Sequence, residues 1–136
     1  MGKVVGIDTN IFIYYFEQNP QFGLDAKEII DDLSASRLEG VTSILAVVET
    51  LSKKDLPKDI AKDLEESILE IPNLSILDVD RKIGVLAADI RREYGFRLPD
   101  SIQLATAVIS KAGSFITNDT RLKKFKELKV VLLDEL

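Results

Sequence analysis

Short apolar runs that alternate with helix-like segments constrain this chain more than any other feature of its sequence. The runs with the length and composition of strands cover residues 4–7, 40–43, 74–79, 114–117 and 129–133. Buried strands of a parallel sheet are nearly continuously apolar, whereas the segments between these runs have apolar residues at helical spacing. Strands that alternate with helices predict βαβ units. The expected fold is therefore α/β, with a mostly parallel sheet and helices on both of its faces.

The helices are predicted from the same spacing and from residues that typically begin or end a helix. Ser43 is a candidate N-cap, and Pro57 and Pro99 suit a first helical turn. Gly95 and Gly113 suit the position that follows a last turn. The predicted helices cover residues 11–16, 26–33, 44–51, 57–71, 81–94, 99–112 and 120–125.

The sequence contains neither cysteine nor histidine, and this excludes whole classes of functional site. Zinc sites built from Cys and His, cysteine nucleophiles and histidine general bases are not available to this chain. Any acid–base or metal chemistry must use carboxylates, hydroxyls, Lys or Tyr. The 136 residues, 46% of them hydrophobic, show no internal repeat or linker, so we expect a single domain over residues 1–136.

Charge and hydropathy indicate where the protein acts and what it binds. No signal peptide is recognisable, and no apolar run approaches the ~18 residues of a membrane span, so we expect a cytoplasmic protein without membrane contact. The net charge of −5 argues against a general basic surface for nucleic acid. A nucleic-acid enzyme whose acidic residues hold metal ions remains compatible with this charge, because bound cations invert the local potential.

The first predicted strand ends abruptly in the polar residues Asp8, Thr9 and Asn10. In open α/β sheets ligands bind at the carboxyl ends of the strands, so Asp8 is expected at the floor of an active cleft. The alternative is structural, because Asp and Asn are also common N-caps of the helix that follows a strand. Taken alone, this stretch leaves both interpretations open.

Three further acids flank elements that are expected to be buried. Asp119 follows the fourth strand in the same local order as Asp8, Glu49 lies at the edge of the apolar face of its helix, and Asp100 lies in a first helical turn. Each has a structural alternative as a cap, a rim acid or a partner of the helix dipole. Bare carboxylates ~4 Å apart would repel by about 4 kcal/mol at an effective dielectric constant of ~20, so a cluster of them favours a bound cation. Oxygen ligands alone favour Mg²⁺ or Mn²⁺.

Four segments together give the chain a resemblance to a known family. They are Asp8-Thr9-Asn10, Glu49, the segment YGFRLPDSIQLATA over residues 94–107 and the segment FITND over residues 115–119. In this order they resemble the PIN-domain family, and most closely its VapC-type toxin branch. The similarity extends from Val4 to the end of the sequence.

The resemblance implies a five-stranded parallel sheet flanked by helices and an Mg²⁺- or Mn²⁺-dependent endoribonuclease that hydrolyses RNA phosphodiester bonds. It also implies a homodimer and a small cognate antitoxin that inhibits it. Carried over to this sequence, the catalytic and metal-binding acids are Asp8, Glu49, Asp100 and Asp119. The residues expected to lie around them are Asn10, Thr117 and Asn118.

Other functions remain open at this stage. A housekeeping RNA-processing nuclease would show the same acids, whereas a PIN domain that binds RNA or protein without turnover is disfavoured, because all four acids are present. A phosphatase of the haloacid-dehalogenase type is disfavoured, because Asn10 stands where such enzymes need a second acid. For each single basic residue, a solvated helix face is the favoured role. The basic residues available for an RNA backbone are Arg91, Arg92, Arg97, Lys123, Lys124 and Lys126.

Overall fold

Five parallel strands form a single sheet in the computed structural model, which describes residues 3–136. Of the domain predicted over residues 1–136, only the first two residues lie outside this range. The strands are β1 (Lys3–Ile7), β2 (Leu38–Ser43), β3 (Leu74–Leu77), β4 (Ser114–Thr117) and β5 (Lys129–Leu132). Their order across the sheet is β3-β2-β1-β4-β5. The α/β fold and the parallel sheet that the sequence predicts are therefore confirmed.

Helices connect the strands and cover both faces of the sheet. The helices are α1 (Thr9–Phe16), α2 (Gly23–Ser34), α3 (Leu45–Leu51), α4 (Lys58–Leu69), α5 (Arg81–Tyr94) and α6 (Leu98–Ile109), with short 3-10 helices over Thr120–Lys124 and Leu133–Glu135. No helix within residues 3–136 has the length and apolar character needed to cross a membrane.

The sheet separates two apolar cores because successive strand residues point to opposite faces. On β4, Phe115 belongs to the core beneath α5 and α6, and its neighbour Ile116 belongs to the core beneath α1 and α2. Both side chains are buried. Each core is built from residues of the strands and of the helices on its own side, so the molecule has three layers.

Several predicted helix ends are wrong by a few residues. Helix α6 ends at Ile109, and the chain turns at Lys111, whose φ of 58° is left-handed, so Gly113 does not terminate the helix. Ser43 is the last residue of β2 and not the N-cap of α3, although its hydroxyl accepts a hydrogen bond from the Leu45 N–H at 3.1 Å. Pro57 precedes α4 instead of lying in its first turn.

Three other elements differ in length or type from the prediction. Strand β3 ends two residues earlier than expected, at Leu77, and β5 ends at Leu132 because the next residues form a 3-10 turn. The segment after Asp119 is a 3-10 helix that ends at Lys124. By contrast, α5 has the predicted limits, and Gly95 ends it with a left-handed φ of 73°.

Strand β1 approaches helix α6 so closely that its central position must be glycine. A Cβ atom at Gly6 would lie 2.7 Å from the Cβ of Ala107 and 2.8 Å from Cδ1 of Phe115. Neither neighbour is the far end of a flexible side chain, so the strand or the helix would have to move. This contact sets the distance between the strand that ends at Asp8 and the helix that carries Asp100.

We expect Gly6→Ala to lower the free energy of unfolding by about 1–3 kcal/mol, the usual effect of overpacking a core. Gly84→Ala is the matched control, because a Cβ at this fourth residue of α5 meets no atom within 4 Å among residues 3–136 apart from its chain neighbours and the backbone of its own helix. That change should stabilise the protein by up to about 1 kcal/mol through helix propensity. Urea unfolding of both variants checks the prediction. Equal changes in the free energy of unfolding would contradict the close approach of β1 to α6.

Candidate active site

The candidate site lies at the carboxyl ends of the two neighbouring strands β1 and β4. Asp8 directly follows β1, and its N–H donates to the carbonyl oxygen of Ile116 on β4 at 2.9 Å. Thr117 ends β4, and Asp119 follows two residues later. The parallel pairing of β1 with β4 therefore brings together two segments that are more than 100 residues apart in the sequence.

Asp8 is buried and is held by hydrogen bonds from two different elements. Its side chain accepts from the Thr9 N–H at 2.8 Å through Oδ1 and from the Thr117 hydroxyl at 2.7 Å through Oδ2. The first bond makes Asp8 the N-cap of α1, so the capping role is confirmed for Asp8. Asn10, the other candidate cap, lies inside the helix.

Burial raises the pKa of Asp8 from its ordinary value of 3.8 to about 7. The hydrogen bond from Thr117 opposes this shift, and the negative charge of Asp100 adds to it. The charge of Glu49 raises the pKa further by a smaller amount. The carboxylates of Asp100 and Glu49 are therefore close enough to Asp8 to act on its charge.

Glu49 lies on α3 and reaches the site through Thr9. Its Oε1 accepts from the Thr9 hydroxyl at 2.8 Å, and the Thr9 Oγ1 accepts from Nε2 of the buried Gln103 at 3.3 Å. The Oε1 of Gln103 accepts in turn from the hydroxyl of Thr42 and the N–H of Ser43 at the end of β2. A continuous chain of polar groups thus joins β2, α6, α1 and α3.

Sequence reasoning missed the roles of Thr9 and Gln103. One signal was available for Gln103, because it lies three residues after Asp100 and so shares a face of the helix with it. A glutamine in a helix that is otherwise almost entirely apolar also needs buried partners. The partner itself could not be identified, since Thr9 and Gln103 are 94 residues apart.

Thr117 forms hydrogen bonds with Asp8, Asp119 and Asn10. It donates to Asp8 and accepts from the Asp119 N–H at 3.0 Å and from Nδ2 of Asn10 at 3.4 Å. Oδ1 of Asn10 is buried and has no hydrogen-bond partner among residues 3–136. Asn118 points elsewhere, because its Nδ2 lies 3.1 Å from the hydroxyl of Tyr14. The structure therefore brings Asn10 and Thr117 to Asp8 and directs Asn118 towards α1.

Asp100 and Asp119 are both paired with arginines. Nε of Arg97 lies 3.1 Å from Oδ2 of Asp100, and Nε of Arg121 lies 3.0 Å from Oδ1 of Asp119. Arg121 also reaches Asp100, with Nη2 3.8 Å from Oδ2. The hydrogen bond from Arg121 lowers the pKa of Asp119, and the carboxylates raise the pKa of both guanidinium groups.

Arg121 was not among the basic residues singled out from the sequence, although it lies only two residues after Asp119. Of those that were, Arg97 pairs with Asp100 and Arg92 with Asp89. Lys123 pairs with Glu135 at 2.8 Å. Lys124 lies 5.7 Å from the centre of the Phe96 ring, in a cation–π arrangement.

The site has the donor chemistry for a hard divalent cation. Among residues 3–136 no three acidic side chains lie close enough together to hold one ion as they stand. The oxygen atoms present are nevertheless of the kind that Mg²⁺ and Mn²⁺ prefer, and the side chain of Asn10 is joined to the buried carboxylate of Asp8 through the Thr117 hydroxyl. The chemistry of these donors therefore fits such an ion, whereas the carboxylates of Asp100 and Asp119 are paired with Arg97 and Arg121. The assignment of Asp8, Glu49, Asp100 and Asp119 as metal ligands stays a prediction.

Comparison with protein families identifies the fold. Residues 5–128 match the model of the PIN domain family. This chain belongs to the PIN domain family. Comparison with curated protein sequences finds no match.

Several solved structures share this fold over almost their whole length. A toxin–antitoxin complex from Klebsiella pneumoniae is 23% identical, with a TM-score of 0.71, and the match covers 99% of this chain and 100% of that one. VapBC2 from Rickettsia felis, bound to a DNA fragment from its promoter, is 19% identical, with a TM-score of 0.72 and coverage of 95% and 98%. FitAcB from Neisseria gonorrhoeae is 20% identical, with a TM-score of 0.68 and coverage of 98% and 99%. These likenesses show a common fold, and the resemblance to VapC-type PIN domains is confirmed.

The raised pKa of Asp8 predicts how stability depends on pH in the absence of divalent cations. The folded protein holds a proton on Asp8 up to about pH 7, whereas the unfolded chain loses it near 3.8. The contribution of Asp8 to stability is therefore fully present below about pH 4 and is lost as the pH rises to about 7. One pKa unit corresponds to about 1.4 kcal/mol, so the loss amounts to at most about 4 kcal/mol.

Asp8→Asn isolates this contribution, because Asn does not titrate. Urea unfolding in EDTA should show the variant gaining stability relative to the wild type between about pH 4 and pH 7, with no further gain above pH 7. A difference between the two proteins that stays constant over this range would contradict the shifted pKa.

Proposed function

We propose that this PIN domain is a divalent-cation-dependent endoribonuclease and the toxin of a toxin–antitoxin pair. One observation carries the proposal: the buried carboxylate of Asp8, with a pKa near 7, lies at the carboxyl end of the central strand under the influence of two further acids. A cation bound there would remove the energetic penalty of burying the charge. Family membership supplies the reaction class.

The catalytic acids in this proposal are Asp8, Glu49, Asp100 and Asp119, and the cofactor is Mg²⁺ or Mn²⁺. When held by carboxylates, such an ion supplies Lewis-acid polarisation of a phosphate oxygen and lowers the pKa of a bound water. The chain's own contribution is to orient the carboxylate of Asp8. The Thr9 N–H and the Thr117 hydroxyl fix the two oxygens of Asp8.

The remaining supporting groups act at the edges of the site. Asn10 donates through Nδ2 to the Thr117 hydroxyl that holds Asp8, and the Thr9 hydroxyl donates to Glu49. Asn118 supports the site indirectly, through its contact with Tyr14. Groups that orient metal ligands in this way commonly affect activity nearly as much as the ligands themselves.

The proposed partners are an RNA substrate, a second copy of the chain in a homodimer and a small cognate antitoxin. One structural neighbour is described as a toxin–antitoxin complex, and the match covers almost the whole of both chains, which supports an antitoxin partner. We further propose that residues 1–136 act as one PIN-like domain, and that it acts in the cytoplasm, where its RNA substrate is found.

A second candidate function is favoured by the arginine pairs. Asp100 and Asp119 are already neutralised by Arg97 and Arg121, as expected for a PIN module that binds RNA or protein without turnover. A housekeeping RNA-processing nuclease would share the active site of the toxin but lack its antitoxin. Cleavage assays separate the silent module from both nucleases, and co-purification of a small inhibitory protein separates the two nucleases from each other.

Asp8→Asn should reduce cation-dependent RNA cleavage by at least about 100-fold, because even groups that only orient metal ligands contribute about 10–100-fold. The assay measures initial rates on a labelled single-stranded RNA with millimolar Mn²⁺ and in EDTA. Asp80→Asn is the matched control, since Asp80 caps α5 in the way that Asp8 caps α1 but lies outside the cluster. Undiminished cleavage by a clean preparation of Asp8→Asn would remove Asp8 from the catalytic set.

Thermal unfolding tests the cation site separately. Mn²⁺ at ten times its dissociation constant should stabilise the wild-type protein by about 1.4 kcal/mol, because only the folded state gathers the carboxylates. The melting temperature of Asp8→Asn should respond much less, and that of Asp80→Asn should respond as the wild type does. Equal shifts in all three proteins would contradict a cation site at Asp8.

A further inference from the structure

Two arginines lie on the solvent side of the acidic cluster and hold two of its four carboxylates. The side chains of Asp100 and Asp119 are 9% and 17% exposed, whereas those of Arg97 and Arg121 are 63% and 57% exposed. The acids are therefore held in place by the surrounding protein. The guanidinium groups stand at the mouth of the site on long flexible side chains.

The arginine contacts use the oxygen atoms that a cation would need. Arg97 reaches both oxygens of Asp100, at 3.1 and 3.5 Å. Arg121 reaches both oxygens of Asp119, and its Nη2 also lies 3.8 Å from Asp100. A divalent ion bound to these carboxylates would compete for the same lone pairs and repel the guanidinium groups at short range. The cation and the two arginines are therefore alternative partners of Asp100 and Asp119.

An RNA phosphodiester offers the displaced arginines a new partner of the right geometry. The planar guanidinium group binds phosphate oxygens in the same bidentate manner as carboxylate oxygens. Both arginines are anchored next to the site, Arg97 at the start of α6 and Arg121 in the 3-10 helix that Asp119 caps.

We propose that Arg97 and Arg121 are exchangeable counter-ions, paired with Asp100 and Asp119 in the free protein and transferred to the substrate phosphate when a divalent cation takes the carboxylates. The proposal rests on the ribonuclease function proposed above and adds two phosphate-binding residues to it. Binding of the cation and of RNA is then cooperative, because each favours the state in which the arginines have left the acids.

The test uses Arg97→Gln and Arg121→Gln. In each variant the affinity for Mn²⁺ should rise and the apparent affinity for RNA should fall. Without RNA, each variant should bind Mn²⁺ about two- to fivefold more tightly by isothermal titration calorimetry, as expected when one exposed ion pair no longer competes. With Mn²⁺ present, the KM for a short single-stranded RNA should rise about tenfold or more, as expected for loss of a charge-assisted contact to phosphate. A purely structural role of these arginines would weaken both kinds of binding together.

Arg37→Gln is the matched control, because Arg37 is 64% exposed, is paired with Asp32 at 2.8 Å and lies just before the start of β2, at the amino-terminal end of the parallel strands. Arg37→Gln should change neither the affinity for Mn²⁺ nor the KM for RNA. Arg97→Lys and Arg121→Lys keep the charge and should recover part of the RNA affinity. Thermal unfolding in EDTA confirms that each variant is folded.

The outcomes distinguish this proposal from the function on which it rests. A wild-type protein that binds Mn²⁺ and cleaves RNA, together with arginine variants whose Mn²⁺ affinity is unchanged or weaker, overturns the counter-ion exchange alone. Unchanged KM values for RNA in both Gln variants also overturn the counter-ion exchange alone. A wild-type protein that neither binds Mn²⁺ nor cleaves RNA overturns both proposals.

Discussion

The buried carboxylate of Asp8 is the interaction on which the rest of the site depends. At 5% exposure, a charged Asp8 opposes folding, and the rise of its pKa to about 7 measures that opposition. The two hydrogen bonds that offset the penalty come from the Thr9 N–H on α1 and the Thr117 hydroxyl on β4. The carboxylate is therefore held only while β1, β4 and α1 keep their places.

Helix α6 connects this carboxylate to the other acids. Its close approach to β1 at Gly6 and Ala107 leaves no room for even one extra carbon atom. Because the helix is held this tightly, Asp100 in its first turn acts on the charge of Asp8, and Gln103 reaches Thr9 across the layer boundary. A core contact with no polar atom in it thus holds the helix that carries Asp100 and Gln103 against β1.

The sequence predicted the limits of a helix well where the local pattern was strong. It predicted them poorly where tertiary contacts decided where the helix ends. Helix α5 has the predicted limits, because its apolar periodicity, its capping Asp80 and the left-handed Gly95 all agree. Helix α6 ends four residues before Gly113, since the turn at Lys111 adopts a left-handed conformation that glycine usually takes. The position of this turn depends on how the chain enters β4, and no local sequence pattern predicts that path.

What the sequence by itself determined is the fold class and the chemistry available to the site. Alternating apolar runs and helices require an α/β sheet, and a chain without histidine or cysteine leaves oxygen atoms as the available ligands. It also indicated Asp8, Glu49, Asp100 and Asp119 as the acids of interest. Only the tertiary structure decided that Asp8 has a pKa near 7 and that arginines hold Asp100 and Asp119. Desolvation and charge–charge interactions depend on distances between atoms, and folding sets those distances between residues as far apart as Asp8 and Thr117.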